Sequence, residues 1–113
     1  IKPRSPETGF GYIESFNGDV KAFYEKPDYE RAVKFLKDQN FYWNSGMFVF
    51  KAGIFLDQMK IFAPEILKAC KFAFDNAKKD KFDIKIDATD MQNIPQNSID
   101  YAVMEKSDIV KRP

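Results

Sequence analysis

Asn17-Gly18 is the pair that most restricts how this chain can fold. Tyr12 to Phe16 and Asp19 to Tyr24 flank it as two strand-like runs. A two-residue type I′ turn needs positive φ at both central positions, which Asn and Gly tolerate, so the segment is predicted to be a β-hairpin. In the simplest register Phe16 faces Asp19, Glu14 faces Lys21 as a cross-strand charge pair, and Gly11 faces Tyr24. One step further, Phe10 stands opposite Glu25. The loop Gly9-Phe10-Gly11 and the pair Glu25-Lys26 then meet at one end of the hairpin.

That end carries the chemistry. In Phe23-Tyr24-Glu25-Lys26-Pro27 an apolar strand runs into two opposite charges and stops at a proline. Pro27 fixes its own φ, removes a ladder donor, and is expected to hold Lys26 extended. Strand alternation puts Glu25 and Lys26 on opposite sides unless the strand twists or ends there. Strand ends present binding residues in α/β folds; a solvated strand terminus is the plain alternative. Gly9-Phe10-Gly11 lacks the third glycine of a dinucleotide fingerprint and leads into a strand, not a helix. It is read either as bare backbone that a ligand can approach closely or as a simple turn.

Further on, Asp28 is predicted to cap a helix running to about Gln39. Met47-Phe48-Val49-Phe50 is a continuous apolar run, read as a strand buried on both faces. Asn44-Ser45-Gly46 stands directly before it. Asn44 offers donors and an acceptor, suited to sugar hydroxyls, while Gly46 marks either a close approach or a bulge. Tyr42 and Trp43 pack either a ligand or the core. Ala52 to Phe62 is predicted helical. Pro64 opens a second helix to about Ala77, with Ile66, Leu67, Cys70 and Phe74 as its buried stripe, so Cys70 reads as a small core residue. Lys78 to Lys81 is a charged break, and a short helix is expected near Asp87 to Asn93. Ser98 is read as the N-cap of a helix reaching Lys106. Asp100 in its first turn either suits the helix dipole or stands near a substrate. Ile109-Val110 is expected to begin another strand.

With 44% hydrophobic and 31% charged residues, the 113-residue chain is a globular class and not a disordered one. A net charge of +1 gives no reason to propose nucleic acid or an anionic membrane as partner. The absence of histidine excludes a histidine base and any His-containing metal site. Cys70, the single cysteine, can form no internal disulfide, which fits a cytoplasmic location. No apolar run approaches the roughly 20 residues needed to span a bilayer. The twelve phenylalanines could fill one core, or some could face a missing part of the molecule. The chain is expected to be a piece of a longer protein.

Four segments stand in a characteristic order: Pro6-Glu7-Thr8-Gly9-Phe10-Gly11-Tyr12-Ile13, Phe23-Tyr24-Glu25-Lys26-Pro27-Asp28, Trp43-Asn44-Ser45-Gly46-Met47-Phe48, and Ser98-Ile99-Asp100-Tyr101-Ala102-Val103-Met104-Glu105-Lys106. Together they closely resemble the mannose-1-phosphate guanylyltransferases, also called GDP-mannose pyrophosphorylases. Bacterial members are often fused to a phosphomannose isomerase domain. The resemblance implies the α/β class, as a fragment of a Rossmann-like α/β/α nucleotidyltransferase domain, a mixed sheet with a β-hairpin and flanking helices. Residues 1–113 would be the sugar-binding, C-terminal part of that domain, incomplete at both ends.

The implied reaction joins mannose 1-phosphate to GTP, releasing pyrophosphate and giving GDP-mannose. By the same resemblance Glu25 binds sugar hydroxyls, and Lys26 binds the sugar's phosphate and is the catalytic candidate. Asn44 and Ser45 lie at the sugar, and the backbone from Gly9 to Gly11 closes over the ring. Mg²⁺ is the implied cofactor, its ligands expected outside this chain together with the glycine-rich nucleotide loop; Asp100 is not expected to replace them. The partners implied are mannose 1-phosphate, GTP and the missing nucleotide-binding half, with room for a homo-oligomer and none for nucleic acid or membrane. The alternatives are a bifunctional protein named for mannose-6-phosphate isomerase, a transferase for another sugar 1-phosphate, and a non-catalytic carbohydrate- or protein-binding α/β module.

Overall fold

The computed structural model describes residues 1–108, so the strand expected at Ile109-Val110 lies outside the described residues. The fold is α/β, with antiparallel strands and flanking helices. It divides into two compact units, Ile1–Val49 together with the chain from Ile99 on, and Phe50–Ser98.

The first unit is built on a three-stranded antiparallel sheet in the order β2-β1-β3. β1 is Tyr12–Phe16, β2 is Asp19–Tyr24 and β3 is Phe41–Trp43. Asn17 (φ 52°) and Gly18 (φ 88°) both adopt the left-handed conformation of the expected hairpin turn. The register departs from the simple one. Phe16 pairs with Asp19 and Ser15 with Val20, but Glu14 then pairs with Ala22 and Tyr12 with Tyr24. Lys21 is squeezed out as a bulge, so the expected Glu14–Lys21 and Gly11–Tyr24 pairs do not form. A bulge of this kind bends the strand and moves everything beyond it by one residue.

One sheet face is closed by α1, Tyr29–Lys37. The Asp28 carboxylate caps it, accepting the Arg31 backbone N–H at 2.8 Å. Ala32 and Phe35 of α1 pack against Tyr12, Tyr24, Phe41 and Trp43. Phe35 stacks on Phe41 with ring centroids 4.2 Å apart. Trp43 therefore belongs to the core, and Phe10 covers its edge at 5.1 Å. Alternation sends the neighbours of these residues, Gly11, Phe23 and Asn44, to the other face.

The helix read from Ser98 to Lys106 is reduced to a π-helical turn, Asp100–Met104, closed by the Glu105 N–H on the Asp100 carbonyl at 2.9 Å. Ala102, Val103 and Met104 are buried. The buried strand expected at Met47 to Phe50 is not formed: Met47 is 80% exposed and Val49 fully so. Its cause lies just upstream. The Asn44 side chain accepts the Gly46 N–H at 3.1 Å, Ser45 Oγ accepts the Met47 N–H at 3.4 Å, and Gly46 takes φ 74°. These turns follow β3, and no described strand pairs with the run beyond them.

In the second unit α2, Ala52–Phe62, follows the predicted span, and α3, Pro64–Asp75, opens with its proline in the first turn. α2 and α3 pack together. The stripe predicted on α3 is not buried: Ile66, Leu67 and Cys70 are half-buried and Phe74 is exposed, while the buried residue of that helix is Ala73. The charged break is a small hairpin of β4, Lys78–Lys79, and β5, Ile84–Lys85. Its turn is held by the Asp80 carboxylate, which accepts the Phe82 and Asp83 N–H groups at 2.9 Å each. α4, Ala88–Gln92, is capped by Asp87. No described helix is long and apolar enough to cross a membrane.

Candidate functional site

The site forms where the central strand begins. The Gly11 carbonyl accepts the Asn44 N–H at 2.8 Å, and the Phe10 carbonyl accepts the Lys26 N–H at 3.2 Å. Because β1 lies between β2 and β3, the residues that follow β2 and β3 flank Gly11. A Cβ on Gly11 would fall 2.6 Å from Glu25 Oε2 and 3.3 Å from both Asn44 Cβ and Phe23 Cζ. The missing side chain is thus the space in which the Glu25 carboxylate lies. The bulge at Lys21 produces this fit. Without it Phe10, not Gly11, would stand opposite Glu25.

Glu25 is held out of water, its side chain only 8% exposed. Among the described residues no group donates to its buried Oε2. Burial is the main reason its carboxyl is pushed above the ordinary value of 4.5. The nearby Asp100 charge pushes the same way, Lys26 opposes it, and Glu105 adds a smaller push upward. Lys26 Nζ stands 3.9 Å from Glu25 Oε1 and is half exposed. At that separation and exposure the ion pair is weak, and the ammonium is free to turn toward a ligand.

Lys26 is not extended as expected, but has φ 45°. Pro27 disfavours the right-handed helical region for it, and the chain leaving β2 takes the left-handed one. That conformation costs a lysine about 1 kcal/mol or more. It brings the Lys26 ammonium to the same side as Glu25, which straight alternation would not.

Asn44 is engaged at both ends of its amide. Oδ1 accepts from Gly46, and Nδ2 donates to Asp100 Oδ1 at 3.1 Å. Gly11, Glu25, Lys26 and Asn44 therefore come together. Ser45 is exposed, its hydroxyl used in the turn. Gly9 is exposed, with nothing within 4 Å of where its Cβ would be. The Asn44–Asp100 bond joins residues distant in sequence, and no local signal reveals it.

Residues 1–91 match the family model for nucleotidyl transferases. The xanthan biosynthesis protein XanB of Xanthomonas campestris pv. campestris (strain B100) is 43% identical over 111 residues, covering 95% of this chain and 24% of that protein. The mannose-1-phosphate guanylyltransferase RfbM of Salmonella typhimurium (strain LT2) is 44% identical over 111 residues, covering 93% of this chain and 23% of that one. A crystal structure of mannose-6-phosphate isomerase from Helicobacter pylori superposes with a TM-score of 0.90 at 46% identity, over 96% of this chain and 44% of that chain.

The chain belongs to the nucleotidyl transferase family. Its relatives include mannose-1-phosphate guanylyltransferases, as the four motifs imply, and it spans about a quarter of the length of the curated relatives it matches. Enzymes of this family use a divalent metal. Among the described residues no three His, Cys, Asp or Glu side chains are placed to hold one. Glu25 feels the charges of Asp100 and Glu105, but the three do not form such a group.

Proposed function

We propose that this chain is the sugar-phosphate-binding portion of an enzyme that transfers GMP from GTP to mannose 1-phosphate, giving GDP-mannose and pyrophosphate. The observation that carries this reading is Glu25 Oε2, a buried acceptor with no donor among the described residues, lying over backbone that Gly11 leaves bare. A buried acceptor left unmet costs about 1–3 kcal/mol, and a sugar hydroxyl offers the donor it needs. The relatives named above support the choice of sugar and nucleotide.

In the transfer, a phosphate oxygen of mannose 1-phosphate attacks the α-phosphorus of GTP. The bond to the β-phosphate breaks, and pyrophosphate leaves. The attacking oxygen is already ionised, so no histidine base is required. The obstacle is the meeting of two anions, and catalysis is chiefly charge neutralisation and alignment. Lys26 places an ammonium at the sugar's phosphate. Glu25 accepts from hydroxyls and so fixes the ring, Asn44 donates to it, and the Gly9 to Gly11 backbone lies against it, with Ser45 at the rim. Mg²⁺ is the cation we assign, where it would offset the triphosphate charge; the described residues do not form its site, and we place its ligands elsewhere in the parent protein. The nucleotide half belongs there too, and the cytoplasm is the compartment we assign.

The test uses the complete protein carrying this sequence. Pyrophosphate release should require both mannose 1-phosphate and GTP. Equal release with glucose 1-phosphate would redirect the sugar, and none with any sugar 1-phosphate would favour a non-catalytic module. A second reading, a bifunctional protein, is favoured by the Helicobacter pylori isomerase structure. It requires conversion of mannose 6-phosphate to fructose 6-phosphate by the same polypeptide.

A further inference from the structure

Asn44 has an amide whose orientation is fixed by its partners. The Gly46 N–H can only donate, so it must meet Oδ1. The Asp100 carboxylate can only accept, so it must meet Nδ2. Asp100 is itself well anchored: its carbonyl closes the π-helical turn, and the three residues Ala102, Val103 and Met104 that follow in that turn are buried. Gly46, by contrast, lies in an exposed turn. The firm end of the amide is the Asp100 end. With one N–H given to Asp100, a single N–H of Nδ2 remains, on the residue that flanks Gly11 across from Glu25.

We propose that Asp100 is a positioning residue, which fixes the Asn44 amide so that its remaining N–H serves as the donor to a sugar hydroxyl beside the acceptor Glu25. This rests on the sugar-phosphate reading and adds a polarity to it. One hydroxyl of the sugar gives its proton to Glu25, and a neighbouring hydroxyl accepts from Asn44. Without Asp100 the amide can rotate or flip, presenting oxygen where the ligand needs a donor.

The experiment is steady-state kinetics of the complete enzyme, varying mannose 1-phosphate and GTP separately. Asp100→Ala should raise KM for mannose 1-phosphate about fivefold, the worth of one neutral hydrogen bond, and leave KM for GTP unchanged. Asp100→Asn should restore wild-type behaviour, because its side-chain oxygen still accepts from Nδ2. In an Asn44→Ala background, Asp100→Ala should have no further effect. An additive effect there would mean that Asp100 meets the substrate itself and would overturn the proposal. So would an unchanged KM, or KM values for both substrates rising together with a lowered unfolding temperature. Should Asp100→Ala fail to fold, the swapped pair Asp100→Asn with Asn44→Asp decides. It rebuilds the bond but removes the donor, so stability should return while KM for the sugar phosphate stays high. A return of KM to the wild-type value would refute the donor role. Wild-type enzyme that does not saturate with mannose 1-phosphate would instead overturn the functional reading beneath it.

Discussion

Gly11 shows how much a single absent Cβ can decide. Its replacement by alanine would set a methyl 2.6 Å from Glu25 Oε2, with Asn44 and Phe23 closing the other sides at 3.3 Å. The carboxylate must move. We expect Gly11→Ala in the complete enzyme to cost about 1–3 kcal/mol of stability, as overpacking does, and to weaken mannose 1-phosphate binding about tenfold or more. Unchanged affinity by calorimetric titration would separate Glu25 from the sugar. Glu25 gives a second test, through pH. Its folded-state pKa lies above 4.5, so the folded protein binds more protons than the unfolded chain between those two values. Stability from this group is therefore present below 4.5 and is lost as pH rises through the raised value. Glu25→Gln removes that loss. The variant should resist urea better than wild type at neutral pH, lose the advantage at pH below 4.5, and bind mannose 1-phosphate more weakly throughout. Equal urea midpoints at neutral pH would contradict the burial of this carboxylate. Glu25, Lys26 and Gly11 were all legible as candidates, because charge beside proline and glycine beside a strand are local signals. The left-handed Lys26 was not legible: Pro27 excludes one region of backbone space without naming the one adopted.

Among elements, those opened by local signals begin where those signals place them, although α1 and α3 end about two residues short of their expected ends. Asn17-Gly18 makes its turn, Asp28 caps α1, and Pro64 opens α3, since each acts within a few residues of itself. Elements that depend on distant neighbours differ from what the local sequence implies. Met47 to Phe50 looks like a buried strand, yet an apolar run becomes one only where other strands flank it. The bulge at Lys21 was equally hidden, because Glu14 and Lys21 make a plausible pair in the straight register. That bulge offers a test at this scale. Deleting Lys21 should remove the bulge and join Val20 directly to Ala22, so that Glu14 still faces Ala22 and Gly11 still faces Glu25. Circular dichroism and affinity for mannose 1-phosphate should both be nearly unchanged. A loss of affinity of about tenfold or more would show that the bend, and not the register, builds the site.

At the scale of the molecule, the second unit is sparsely covered. Phe72, Phe82 and Ile61 are all more than half exposed, and the buried residues there are alanines, Ala63 and Ala73. We propose that the rest of the parent protein covers these faces, since contiguous apolar surface otherwise promotes association. The isolated chain should accordingly release no pyrophosphate from mannose 1-phosphate, GTP and Mg²⁺; steady release would place nucleotide recognition within these residues. The division of labour, sugar phosphate here and nucleotide elsewhere, is tested most directly by titrating each substrate into complete enzyme carrying Lys26→Ala. A charge-assisted contact to the sugar's phosphate is worth about 1.5–3 kcal/mol, so mannose 1-phosphate should bind about tenfold to more than a hundredfold more weakly. Lys26→Arg should recover part of that loss, since it restores the charge without the compact ammonium. GTP affinity should be unchanged in both variants. Wild-type affinity for mannose 1-phosphate in Lys26→Ala, or an equal loss for GTP, would contradict the assignment of this chain to the sugar phosphate.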